Sequence, residues 1–138
     1  HVVGDYVNGK LYALNLSTYT DAGDPKKWLR SWRALPAGKD TDKPLRFNAL
    51  SIDCQTGIEV PDGANPLATL RCSNDGGHTW PIERIAPIGK VGETARRVVF
   101  RRLGSTSRGR GLDRAFELSS TEDVPAALIG ADVDAEPT

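Results

Sequence analysis

The residues with the most chemical potential lie between Ser73 and Trp80, where the chain reads Ser-Asn-Asp-Gly-Gly-His-Thr-Trp. A hydroxyl, a carboxylate and an imidazole this close together invite a nucleophilic reading of Ser73, Asp75 and His78. That chemistry requires a base within hydrogen-bond reach of the hydroxyl and a third group orienting the base. Side chains crowded into one tight turn seldom converge in that way. Turn chemistry accounts for each residue type instead. Asp75 can fold its carboxylate onto backbone N–H groups, Gly76 and Gly77 supply positive φ, and Trp80 anchors the returning strand by burying a large apolar area. The paired carboxylates Glu59/Asp62 and Asp21/Asp24 stand among loop-forming residues, where solvated surface is the default. Gly104-Ser105-Thr106-Ser107 lacks the Lys-Ser/Thr ending of a phosphate loop. No catalytic residue, cofactor or enzyme activity is assigned.

Metal chemistry is equally poorly served. Cys54 and Cys72 lack CxxC spacing and are accompanied only by His1 and His78, whereas a structural zinc site takes about four well-placed ligands. Free, half-buried thiols on strands are expected.

Arginine is the other concentrated resource. Residues 84–114 carry eight Arg and one Lys against Glu93 and Asp113, a net of +7. Residues 115–138 carry six acids and no base, a net of −6. The whole chain balances at 18 basic and 18 acidic residues, which disfavours a globally basic nucleic-acid binder. Arg96, Arg97, Arg101, Arg102, Arg108, Arg110 and Arg114 form a candidate interaction surface. Strand alternation puts Arg97 and Arg101 on one face and Arg96 and Arg102 on the other. Guanidinium groups suit bidentate pairing with carboxylate or phosphate. Three destinations are open: a solvated face with weak pairs, the acidic segment 115–138, or phosphate, with direct DNA contact not favoured.

The elements that position these groups read as strands. Period-2 alternation marks Leu11–Leu16, Ala68–Ser73, Arg96–Leu103 and Arg114–Ser120, the last with Phe116 and Leu118 inward. Leu45–Asp53 is also a strand, and its apolar face switches from Leu45/Phe47/Ala49 to Leu50/Ile52, as a bulge or a crossing between sheets would require. Asn8-Gly9 signals a hairpin, and Asp21–Pro25 and Asp75–Gly77 are further turns. Asp123–Ile129 could be a short helix, but Pro125 favours extended chain. The pattern predicts an all-β antiparallel sandwich or jelly-roll-like domain of about eight or nine short strands, with β-propeller blades as the alternative. At 138 residues the chain suits one domain, spanning residues 1–131, with 132–138 a frayed acidic tail. No apolar run approaches the roughly 20 residues of a membrane span. A chain that begins at His1 and contains no Met reads as a processed or excised piece.

Two resemblances add to this. Ser73, Asp75, Gly77, Thr79 and Trp80 resemble the Asp-box, a structural hairpin of sialidases and other β-rich proteins. This keeps a carbohydrate-binding sandwich or sialidase-like fragment as the alternative function. More of the chain resembles the packaged-DNA stabilisation proteins, tail-hub components of short-tailed double-stranded DNA phages. The segments that carry this likeness, in order, are Leu11–Gly23, Leu50–Asp53 with Gly57, Thr69–Ser73, Gly89–Glu93, Arg97–Gly104, Asp113–Leu118 and Ala127–Ala131. Trp28–Asp42 and the longer, Gly/Arg-rich Leu103–Arg114 loop depart from the family wording. The resemblance implies the carboxy-terminal part of a structural protein in the virion tail, assembled in the bacterial host cytoplasm. Its implied partners are copies of itself in a ring and other tail and portal proteins. It implies a role in closing the channel and retaining DNA, and no catalytic residue.

Overall fold

The computed structural model describes residues 1–34, 43–60, 62–107, 113–125 and 127–138. They form eleven strands and, among the described residues, no α-helix. Among the described residues, no helix is long and apolar enough to cross a membrane.

Two sheets make the sandwich. One is four-stranded, in the order β5 (Trp28–Arg33), β10 (Ala115–Ser120), β7 (Leu67–Ser73), β8 (Ile82–Pro87). The other has the order β11 (Leu128–Pro137), β6 (Leu45–Cys54), β9 (Val98–Ser105). All pairings are antiparallel. The alternating apolar residues of the strands meet between the sheets. Leu70 and Cys72 on β7 stand opposite Leu118 and Phe116 on β10, and face Phe47, Leu50 and Ile52 of β6 and Val98, Phe100 and Leu103 of β9 in one buried cluster. Phe116 packs edge-on to Phe47 at 5.9 Å and tilted against Trp32 at 6.0 Å between centroids, the offset geometries that aromatic quadrupoles favour. The sandwich expected from strand periodicity is the observed fold.

The predicted face switch in β6 falls at Asn48, the extra residue between Phe47 and Ala49, which pair with the consecutive Ala135 and Asp134 of β11. Phe47 pairs with Gly104 and Ala49 with Arg101, so Asn48 alone opposes Arg102 and Leu103. Arg102 adopts φ 60°. This left-handed residue resets the alternation of β9, leaving both Arg101 and Arg102 exposed while Leu103 is buried. Arg101 and Arg102 are therefore not divided between faces as simple alternation predicts, and Arg97 precedes the strand.

Three other expectations change. Residues 132–138 are not a frayed tail, because β11 pairs with β6 from Leu128↔Cys54 to Pro137↔Leu45. The alternation Ala131, Val133, Ala135 against Asp132, Asp134, Glu136 is a strand pattern, even though all of β11 is exposed. Leu11–Leu16 contributes only β2 (Leu11–Ala13), which pairs with β1 (Val2–Gly4) around the Asn8-Gly9 turn. Leu14 and Leu16 are exposed, not buried on a strand face. A second small hairpin joins β3 (Thr20–Asp21) to β4 (Asp24–Pro25). No residue of β1–β4 belongs to the core cluster.

Candidate functional site

The turn joining β7 to β8 gathers the polar groups of the 73–80 segment onto one another. Ser73 Oγ donates to Asp75 Oδ1 at 2.6 Å. The same oxygen accepts from the backbone N–H groups of Asp75 at 3.2 Å and Gly77 at 2.9 Å. Asp75 Oδ1 accepts from Thr79 N at 2.9 Å, and Oδ2 from Thr79 Oγ1 at 2.6 Å. The donor from Ser73, then those from Thr79, hold the Asp75 carboxyl well below the usual carboxylate range. Gly76 and Gly77 have φ 74° and 102°, conformations that side chains disfavour. Trp80 folds back over the hairpin, and the Arg71 guanidinium carbon lies 5.4 Å from its ring centroid. His78 is exposed. The Ser73 hydroxyl donates to a carboxylate whose proton affinity these same donors lower, which makes it a weak general base, and every one of these bonds closes the turn on itself.

The arginines of the basic stretch separate into three groups. Arg96 pairs with Glu93 at 2.8 Å, and that carboxylate, also bonded to Lys90 N–H, is held below its ordinary pKa. Arg97, Arg101 and Arg102 are exposed and make no ion pair among the described residues. Arg108 and Arg110 lie outside the described residues. Arg114 is not surface at all. Its side chain is fully buried, sandwiched between Phe47 and Phe116 with its guanidinium carbon 4.7 and 5.3 Å from their centroids. Nη1 donates to Asn74 Oδ1 at 2.6 Å and Nη2 to the Leu103 carbonyl, while Nε has no partner. Burial lowers its pKa from the ordinary arginine value. The physical reason for this placement is the bulge. Extra residues in a bulge drop out of the ladder and leave backbone groups to satisfy. Arg114 takes the Leu103 carbonyl, and Arg84 Nη2 takes that of Arg102 at 2.9 Å. Arg114 also ties the 73–80 turn to β9 through Asn74, and Asp113 O accepts from Gly76 N at 2.9 Å.

Two charged features escaped sequence reading. Arg71 and Glu117, opposite each other on β7 and β10, form a 2.6 Å ion pair on the outer face of the four-stranded sheet, with Glu117 buried. Arg46, far from the basic stretch in sequence, reaches the same side as Arg101 and Arg102 and lines an open groove of about 530 Å³ with them, Asn48 and Ser105. Only the β6–β9 register, fixed by the bulge, brings these groups together. Cys54 and Cys72 are free thiols, half-buried and buried, and burial pushes both pKa values up. No group of His, Cys, Asp and Glu suited to a metal ion occurs among the described residues.

The geometry defines a β-sandwich whose best-developed polar constellation is architectural. Residues 27–136 match the family described as Bacteriophage P22 Gp10, beta-sandwich. The chain belongs to this family, and is a structural domain of a phage tail protein. The match starts one residue before β5 and takes in both sheets, leaving the β1–β4 hairpins outside it. No curated protein matches the chain.

Proposed function

We propose that the chain is a non-catalytic module of a phage or prophage tail that helps to close the portal–tail channel and hold packaged DNA inside. The observation that carries this reading is the match to the phage family across both sheets. The inward use of the Ser73, Asp75 and Thr79 groups supports a structural role, since none of them is left to act on a substrate. In this reading copies associate into a ring beneath the portal, alongside other tail and portal proteins, during assembly in the host cytoplasm. Ring closure requires heterologous contacts between different surfaces of one chain, and the segregation of +7 and −6 segments provides chemically different surfaces.

The test is made on particles. Phage whose gene lacks the codons for residues 27–136 should package DNA and then lose it, read as genome that becomes nuclease-sensitive in filled heads. Particles that retain a fully protected genome without the domain would overturn the reading.

A further inference from the structure

The outer face of the three-stranded sheet carries an acidic stripe on β11 and a basic one on β6 and β9, which come into register at Glu136 and Arg46 and otherwise lie two strands apart. On β11, Asp132, Asp134 and Glu136 pair in register with Ser51, Ala49 and Arg46 of β6. On the far side of β6, Ser51 and Ala49 pair with Val99 and Arg101 of β9. Asp132, Asp134, Arg101 and the bulged Arg102 are all exposed. Adjacent strands lie about 4.8 Å apart, so β11 and β9 are separated by about 10 Å with small Ala49 and Ser51 between them. That is about one Debye length at 0.1 M salt, so attraction across solvent is heavily screened. Among the described residues, Arg46, Arg101 and Arg102 form no ion pair, nor do Asp132 and Asp134. Glu136 only accepts from Asn48 Nδ2 at 3.2 Å.

The basic stripe also has a shape to receive a partner. Arg46, Arg101 and Arg102 line the open groove of about 530 Å³, with Asn48, Ser105 and, just past the end of β11, Thr138 as further polar lining. The acidic stripe is a strand exposed along its whole length, and among the described residues β6 is its sole neighbour in the sheet. Like charge on two β11 edges opposes their pairing with each other, the usual protection of an open edge. Alternate residues of a strand stand about 6.8 Å apart, a spacing that the long arginine side chains can follow with bidentate carboxylate contacts.

We infer that the Arg46/Arg101/Arg102 groove of one copy is the docking site for the acidic strand β11 of a second copy. The inference rests on the self-association in the proposed function and assigns the surfaces that make it. The occupant is argued from complementarity. One chain carries both stripes on one face, and its overall charge is zero, which favours an acidic partner of its own kind over a polyphosphate.

Sedimentation velocity on the whole chain at low salt tests this with two charge-reversed variants, Arg101→Glu/Arg102→Glu and Asp132→Lys/Asp134→Lys. Each alone should associate at least about tenfold more weakly than wild type. An equimolar mixture of the two should recover association, because the intact acidic strand of one meets the intact groove of the other. Wild-type association indifferent to both reversals would overturn this interface while leaving the ring standing. A wild-type chain monomeric at every concentration would overturn the interface and count against self-association of the domain. Loss in both variants without recovery on mixing would also overturn it. So would a monomeric wild type that binds duplex DNA through Arg101 and Arg102, which would make the groove a phosphate site.

Discussion

The two sheets of the sandwich treat charge in opposite ways. On the four-stranded sheet, the central strand β10 is buried on both faces, and its outward Glu117 is paired at 2.6 Å with Arg71. Next to it, Arg114 is driven into the core to satisfy carbonyl and amide oxygens. On the three-stranded sheet, Asp132 and Asp134 of β11 and Arg101 and Arg102 of β9 stay exposed, with β6 between them. A buried charge must be partnered or it costs several kcal/mol, whereas an exposed one costs little and gains little. Arg71, Glu117 and Arg114 hold the first sheet together, whereas Arg101, Arg102, Asp132 and Asp134 of the second make no ion pair among the described residues.

The largest expected effect of breaking this contrast is at Arg114. Arg114→Ala leaves the Leu103 carbonyl and Asn74 unsatisfied and opens a cavity between two phenylalanine rings. It should cost about 3–4 kcal/mol in chemical denaturation. Arg114→Met refills the volume and removes a buried cation, so it should be milder. If the two variants are equally destabilised, hydrogen bonding rather than volume dominates the site. Arg71→Ala strands a buried carboxylate, and a loss of about 2 kcal/mol is expected, reduced by the partial exposure of Arg71. The double variant Arg71→Ala/Glu117→Gln should recover part of it, and absence of recovery would show that the pair is not coupled.

A smaller effect is expected in the 73–80 turn. Asp75→Ala should lower the melting temperature by a few degrees, because the amide of Thr79 and two hydroxyls lose their acceptor. The pH dependence is more diagnostic. The folded-state pKa of Asp75 is depressed, so its contribution is fully present above the unfolded value of about 3.9. It fades as pH falls from there through the folded value. Asp75→Asn should therefore flatten the acid limb of the stability curve below about pH 4. An acid limb unchanged by the substitution would show that other carboxylates control it.

Much of this organisation was legible from residue types. Alternation in Ala68–Ser73 and Arg114–Ser120 identified the two strands that carry the core, and the face switch read after Ala49 marked an irregularity that the register places between Phe47 and Ala49. The turn at 73–80 was readable because Ser, Asp, Gly and Thr at those spacings have local jobs. Long-range satisfaction was not readable. Arg114 looks like its neighbours in the basic stretch until the bulge across the sandwich exposes a carbonyl that needs it. Arg102 could not be oriented without knowing that a non-glycine residue takes positive φ. The β11 strand was obscured by its acidity, although acid–apolar alternation was present in the sequence. Arg46 joins the groove only through strand register, which no local pattern encodes.

The contrast between the two sheets requires that the outward charges of the three-stranded sheet be dispensable for folding. The most direct test is the melting temperature of Arg101→Glu/Arg102→Glu, measured dilute and at high salt so that self-association does not contribute. Because these guanidinium groups make no ion pair within the described residues, the variant should melt with the wild type, within the small shifts usual for surface substitutions. A fall comparable to that of Arg71→Ala would contradict the account, placing these arginines among the charges that hold the domain together.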